Sequence, residues 1–257
     1  MTDIKHTTLA DIIESERAMA FGAEARYGEF FTNAAALMAF FSSFLKSINH
    51  DRYVFAMFLA QARKHYTLAI LSTVRLHHTQ ALMDLRQVLE AGSCAAYAIA
   101  NVDPADFADV DKQGLLNPSQ ELTRKRYRWL EKKFPHGSAG IKGMKEAINA
   151  SASHANIVSA HYNFKIGDDW RGFETPFFDV EDKYSVRTDL WQCANIALGL
   201  IDLFYGVGQK YGGIVFAEDF LLRFQALEAV NRKHKEEMVA TERYKKAAAK
   251  AEMKASR

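Results

Sequence analysis

Four polar side chains follow one another along the run Leu82 to Ile99, which is otherwise apolar and rich in alanine. They are Arg86, Glu90, Ser93 and Tyr97, and their spacings of four, three and four residues place them on one stripe of an α-helix. The chain supplies many further apolar helices, so we expect this helix to be surrounded by others. The polar stripe is therefore predicted to be buried or to line a cleft.

The pair formed by Arg86 and Glu90 has two interpretations at this stage. It can be a structural clamp that fixes the register of packed helices, because removing one partner of a buried ion pair strands a charge at a cost of about 3–5 kcal/mol. Alternatively, Arg86 binds an anionic group, and Glu90 and His154 serve as partners that transfer protons. Both interpretations make Arg86, Glu90 and His154 the candidate functional residues.

A later segment, SASHANIVSAH, adds the candidate binding residues Ser153 and His161 to His154. Small residues surround His154, which would let another helix approach it closely. His154 and His161 lie two helical turns apart, about 10 Å, which is too far to share one metal ion without help from other elements. No Glu-x-x-His, HExxH, GxSxG or P-loop motif occurs in the chain. No metal site and no cofactor is therefore predicted.

Basic residues concentrate in two other places. Arg124, Arg126 and Arg128 alternate with aromatic residues in a predicted helix that ends at Phe134, a pattern that occurs in nucleic-acid binding and also on ordinary solvated helices. The tail from Arg232 to Arg257 holds nine basic and four acidic residues, a net charge of +5. This tail could bind nucleic acid or an acidic partner, and a solvated helical extension is its simpler interpretation.

The elements that must position these residues are predicted to be helical throughout. The chain has 257 residues, only four prolines and abundant helix formers, and its 49% hydrophobic content is ordinary for a globular protein. We predict an all-α antiparallel helical bundle over residues 1–231 and a basic helical tail over 232–257. One irregular aromatic-rich loop is expected over 167–184, with a short β-hairpin around 175–180 as an alternative within it.

The run from Asp51 to Asn101 contains no proline, yet a single helix of that length would span about 75 Å. We predict a break within Arg75 to Thr79 and an antiparallel pair of helices on either side. Thr7 or Thr8 is expected to cap the first helix, and Asn117 with Pro118 to begin the helix that ends at Phe134. Helix is expected to continue to Ile48, a loop is expected over 135–140, and the last helix is predicted to begin after Gly213.

The expected compartment and partners of the protein rest on its cysteines and on the distribution of its apolar residues. The two cysteines, Cys94 and Cys193, lie in apolar helical runs without metal-ligand spacing. The first residues lack the apolar core of a signal peptide, and no stretch approaches 18 uncharged apolar residues, so we expect a cytoplasmic protein with no membrane partner. The Phe-rich N-terminal helices are expected to mediate self-association.

The segment ALMDLRQVLEAGSCAAYAI, together with the later ASASHANIVSAH, resembles a set of uncharacterised bacterial helical proteins that share an Arg-x-x-x-Glu helix and a later Ser/His helix. In layout these are similar to HEPN-type helical bundles, some of which are ribonucleases of toxin and phage-defence systems. The resemblance covers residues 55–161 and implies that Arg86, Glu90 and His154 lie near one another. Active ribonucleases of that type carry an arginine and a later histidine with four to six residues between them, and no arginine here has a histidine at that spacing.

Three functions remain open on this basis. The first is a non-catalytic binding or interaction module. The second is a nucleic-acid-binding protein that uses the Arg124 helix and the tail. The third is a ribonuclease-like hydrolase that uses Arg86, Glu90 and His154.

Overall fold

In a computed structural model, the protein is described over residues 8–152, 160, 164–166, 173–174 and 176–255. The structure is 79% helical, and its described strands form two-stranded antiparallel ribbons, which confirms the all-α prediction. In chain order the described α-helices are α1 (Leu9–Phe21), α2 (Ala23–Tyr27), α3 (Glu29–Ser43), α4 (Tyr53–Val74), α5 (His78–Ala100), α6 (Gln120–Lys133), α7 (Pro135–Ala152), α8 (Lys183–Tyr211), α9 (Phe220–Val239) and α10 (Glu242–Ala255).

The break in the long helical run lies where it was predicted. Helix α4 ends at Val74 and α5 begins at His78. The turn between them is sharp because Leu76 adopts a left-handed backbone conformation, with φ of 62°. The ring of His77 lies 2.9 Å from Glu16 of α1, which ties this turn to the N-terminal helix.

The centre of the bundle is formed by α8 and the three helices α3, α4 and α5 that pack around it. The Phe-rich face of α3 belongs to this core, because Phe30, Phe40 and Phe41 are buried and the ring of Phe41 stacks on Phe204 of α8. The phenylalanines expected to support self-association therefore pack inside the chain. Self-association itself stays a prediction, and the exposed apolar residues nearest the N-terminus are Leu9, Ile13 and Phe21 of α1.

Two predicted helices are shorter than expected because a non-local strand pairing replaces their ends. Residues Leu45–Ile48 form strand β1, which pairs with strand β6 (Ile214–Phe216), so the helix predicted through Ile48 ends at Ser43. The last helix correspondingly begins at Phe220 rather than directly after Gly213. The ribbon brings Gly213 against Arg52, where a Cβ atom would lie 2.4 Å from Nε, so a side chain does not fit there.

The remaining differences concern helix starts and short strands. Thr8 caps α1 in a reciprocal capping box with Asp11, as predicted. Helix α6 is capped by Ser119 rather than by Asn117, and α7 begins at Pro135 in the region predicted to be a loop. Strand β2 (Asp109–Val110) pairs with β3 (Leu116–Asn117) in the segment before α6. Strand β4 (Lys165–Ile166) pairs with β5 (Phe173–Glu174), so this ribbon lies before residues 175–180, where a hairpin was predicted.

The C-terminal region continues the bundle for longer than its composition indicates. Helix α9 runs without a break through Arg232, and His234 and Met238 beyond it are buried. Among the described helices, α8 alone is long and apolar enough to cross a membrane by length and composition. Because 61% of its most apolar window is buried inside the protein, α8 equally meets the description of a core helix, and the predicted compartment stays a prediction.

Candidate functional site

The Arg86–Glu90 pair forms, but it is only half-buried and lines neither of the two clefts described below, whereas the sequence predicted that it would be buried or line a cleft. The two groups lie one turn apart on α5, with Arg86 Nε 3.3 Å from Glu90 Oε1, and their side chains are 30% and 36% exposed. The buried face of α5 carries Leu85 and Leu89 instead. The pair lies at the edge of α5, where α6 and α7 leave it partly open to solvent.

Three further side chains complete a network that we call the Arg86 clamp, made of Arg86, Glu90, Tyr127, Lys145 and Asn149. Arg86 Nη1 donates to Asn149 Oδ1 at 2.7 Å. Lys145 Nζ lies 3.1 Å from Glu90 Oε1 and donates to Tyr127 Oη at 2.8 Å. Because the five residues come from α5, α6 and α7, the clamp ties three helices together.

Each charged group of the Arg86 clamp contacts an oppositely charged or hydrogen-bonding side chain. Burial pulls the pKa of Lys145 down, but the hydrogen bond to Tyr127 and the Glu90 carboxylate outweigh it and hold the pKa above its usual value. Lys145 is therefore charged at neutral pH and is a poor proton acceptor. Tyr127, Lys145 and Asn149 also line a cleft of about 320 Å3 between α6 and α7, which we call the small cleft.

Ser93 and Tyr97, also predicted to bind a ligand, are part of the packing. Ser93 is buried, and its hydroxyl donates to the Leu89 carbonyl of its own helix at 2.6 Å. Tyr97 is buried edge-on against Phe107 and Trp129, and burial raises the pKa of its hydroxyl. The predicted polar stripe is therefore divided into a clamp at one end and core contacts at the other.

The other predicted site residues are separated from the clamp or are not described. Ser153, His154 and His161 lie outside the described residues. On α6, Arg124 and Arg128 are exposed as predicted for a basic surface. Arg126 points inward, with its guanidinium over the Phe107 ring and Nη2 donating to Thr123 at 2.9 Å.

A larger cleft of about 570 Å3, which we call the main cleft, lies on the other side of α7. Residues from one side of each of the helices α7, α8 and α9 line this cleft, and Leu89 of α5 contributes to its floor. Its volume lies in the range of sites for small organic ligands. Its lining combines apolar side chains with a charged rim: Leu89, His136, Gly137, Gly140, Ile141, Met144, Trp191, Asn195, Ile196, Leu198, Gly199, Leu200, Asp202, Phe224, Glu228, Asn231, Arg232 and Lys235.

The charged side chains of the main cleft form no ion pairs with described residues. Within the part of the chain that the structure describes, Asp202, Glu228, Arg232 and Lys235 form no hydrogen bond or ion pair through their side chains. Glu228 and Arg232 lie one turn apart on α9, a spacing that permits pairing, and yet they do not pair. Burial, and then the Glu228 charge, raises the pKa of Asp202. All four side chains are exposed, so they meet solvent in the free protein and can meet a ligand bound on the apolar floor.

Two glycines keep the main cleft open. A Cβ atom built on Gly140 of α7 or on Gly199 of α8 meets no heavy atom within 4 Å. Both positions line the cleft, so an added Cβ atom would enter its volume without meeting another heavy atom. Gly143, one turn along α7, also meets nothing within 4 Å but does not line either cleft.

Sequence reasoning missed this site, although one signal was available. Asp202 is the only acidic or basic residue between Leu190 and Gln209, inside an otherwise apolar helix. Trp191, Asn195 and Asp202 follow at helical spacing on the stripe beside the one that packs in the core. A lone carboxylate on such a stripe is costly unless it meets solvent, a partner or a ligand.

Comparisons with protein-family models, with curated proteins and with solved structures found no match for this chain. The function must therefore be argued from the two clefts themselves.

Proposed function

We propose that the protein is a non-catalytic binding protein whose ligand site is the main cleft. The observation that carries this proposal is a cleft of ligand size in which four exposed charged side chains, Asp202, Glu228, Arg232 and Lys235, surround an apolar floor and form no ion pair with a described residue. Other exposed charged residues, such as Arg124 and Arg128 on α6, also form no ion pair with a described residue, so it is the apolar floor beside the charges that distinguishes the main cleft. Unpaired charges in a cleft of ligand size favour binding as its role.

Two features support binding rather than catalysis. Two of the three groups expected to perform chemistry, Arg86 and Glu90, are engaged by Asn149 and Lys145, and the third, His154, lies outside the described residues. The raised pKa of Lys145 disfavours a proton-accepting role. Among the described residues that line the main cleft there is no serine, threonine or cysteine, so no hydroxyl or thiol nucleophile faces a ligand there.

The test uses anilinonaphthalene sulfonate, a fluorescent probe with an apolar body and one anionic group. We expect saturable binding to the full chain, and at least a tenfold loss of affinity in Gly140→Leu, because leucine would occupy the cleft. Gly143→Leu is the matched control, since it makes the same substitution one turn away and outside the cleft. Equal affinity in the two variants would refute the main cleft as the binding site.

A second candidate function, nucleic-acid binding, is favoured by one specific observation. Arg124, Arg128 and Lys132 are exposed on α6 at intervals of one turn and form no ion pair with a described residue. Such a stripe supports phosphate contacts, which predict an affinity that falls steeply with salt. Replacing all three with glutamine should then reduce both the affinity for a labelled RNA and its salt dependence. Shortening of the RNA during this assay would instead support the ribonuclease alternative.

A further inference from the structure

The main cleft has two electrically different ends. Helices α8 and α9 run antiparallel, because Tyr205 stacks on Phe220 at one level and Trp191 Nε1 donates to the Asn231 carbonyl at 3.0 Å at the other. Asp202 therefore lies towards the Phe220 end of α9. Arg232, which follows Asn231, lies at the Trp191 end. Eleven residues separate Trp191 from Asp202 along α8, which corresponds to about 16 Å.

Glu228 extends the acidic end towards the middle of the cleft, and Lys235 extends the basic end by about one further turn of α9. The surface between the two ends is apolar and includes Ile141, Met144 and Phe224. The lining also contains two asparagines, Asn195 on α8 and Asn231 on α9. Asn231 is 96% buried and accepts a hydrogen bond from Asn33 through Oδ1, while its Nδ2 donates to no described residue.

We propose that the main cleft binds an elongated zwitterion, with a cationic amine at Asp202 and Glu228, an anionic group at Arg232 and Lys235, and an apolar body between them. The inference rests on the proposed function and adds the class and the orientation of the ligand. Glu228 lies four residues from Arg232, about 6 Å along α9, so the acidic groups lie between about 6 and 16 Å from the level of Arg232. Apolar peptides of three or four residues with free termini belong to this class, since their extended backbone spans about 10–14 Å.

The unused amide of Asn231 fits such a ligand, because it lies beside Arg232 at the basic end and can donate to the anionic group there. An apolar molecule with a single charge would leave one end of the cleft unmatched. A ligand with reversed polarity would place like charges together at both ends. The arrangement therefore specifies which terminus of a peptide lies at which end.

The test compares trileucine with N-acetyl-trileucine and trileucine amide, which each lack one terminal charge, by isothermal titration calorimetry on the full chain. We expect each blocked peptide to bind about threefold to fivefold more weakly, the range for an ion pair at a partly exposed site. In the double variant Asp202→Asn with Glu228→Gln, acetylation should no longer weaken binding. In Arg232→Gln with Lys235→Gln, amidation should no longer weaken binding.

The exposed α9 residues Lys233 and Glu236 do not line the cleft, so Lys233→Gln and Glu236→Gln serve as controls that each remove one charge of α9 outside the cleft and should keep the wild-type pattern. Equal affinity for the three peptides would overturn the zwitterion inference, and so would the absence of binding by all three. In either case the probe titration with Gly140→Leu decides separately whether the main cleft is a binding site.

Discussion

Two groups of charged residues lie on opposite sides of α7, and they differ in how their charges are satisfied. In the Arg86 clamp each charged group meets a partner on another helix or one turn away, with contacts between 2.7 and 3.3 Å. In the main cleft four charged groups line an apolar floor and form no such contact with described residues. The difference indicates that the clamp stabilises the fold, whereas the cleft keeps its charges available.

If this contrast is correct, substitutions in packed positions should cost stability, and substitutions in the main cleft should not. Two glycines give the largest expected difference. A Cβ atom on Gly92 of α5 would lie 2.6 Å from both terminal methyl groups of the buried Leu200, whereas Gly199 beside it meets open space. We expect Gly92→Ala to lower the free energy of unfolding by about 1–3 kcal/mol, the usual cost of overpacking. Chemical denaturation measures it, and a neutral effect would show that the helices near the cleft are loosely packed.

The second prediction tests the clamp. Lys145→Met removes the cation that joins Glu90 to Tyr127, and we expect a loss of about 1–2 kcal/mol, in line with a charged hydrogen bond left without its partner. Lys142→Met is the matched control, because Lys142 lines the small cleft on the same helix without an ion pair to a described residue. Urea unfolding should separate the two variants. If both had the same stability, the clamp would have no structural role.

The third prediction has the opposite sign. Gly199→Ala should raise the free energy of unfolding by about 0.5–1 kcal/mol, because alanine is the better helix former and no atom obstructs its methyl group. The same change narrows the main cleft, so affinity for the fluorescent probe should fall while stability increases. A loss of both stability and affinity would mean that the position is packed rather than open.

The smallest expected effect concerns pH. The pKa of Asp202 is raised in the folded protein by burial and by Glu228, so the folded state binds this proton more tightly than the unfolded state. Stability from this group is present at low pH and is lost as pH increases from about 4 through the raised pKa. Asp202→Asn should remove that slope and slightly stabilise the protein at pH 7, where the wild-type carboxylate is ionised beside Glu228. Unfolding curves from pH 4 to pH 7 measure the difference, and an unchanged slope would contradict it.

Local patterns in the sequence predicted what depends on local interactions. The helical periodicity, the break near Leu76 and the Thr8 cap follow from neighbouring residues, and the structure has all three. The pairing of Leu45–Ile48 with Ile214–Phe216 was not predictable in the same way, because strand formation there depends on a partner far along the chain. Without knowledge of the partner strand, the LKSI sequence is predicted to continue helix α3.

The candidate site shows the same limit. The four-residue spacing correctly predicted that Arg86 and Glu90 pair, but their exposure depends on where α6 and α7 lie. The main cleft combines residues of α5, α7, α8 and α9, so no single segment carries its pattern. Asp202, a single charged residue in an otherwise apolar helix, was the one local sequence feature that indicated the main cleft.

The most direct test of the contrast between the two regions is the acetylation rate of individual lysines, followed by mass spectrometry, with and without saturating anilinonaphthalene sulfonate. Lys235 lines the main cleft, and Lys145 belongs to the clamp beside the small cleft. We predict that the bound probe slows acetylation of Lys235 severalfold and leaves the rate at Lys145 unchanged. Protection of Lys145 with no change at Lys235 would contradict the account and place the ligand at the clamp.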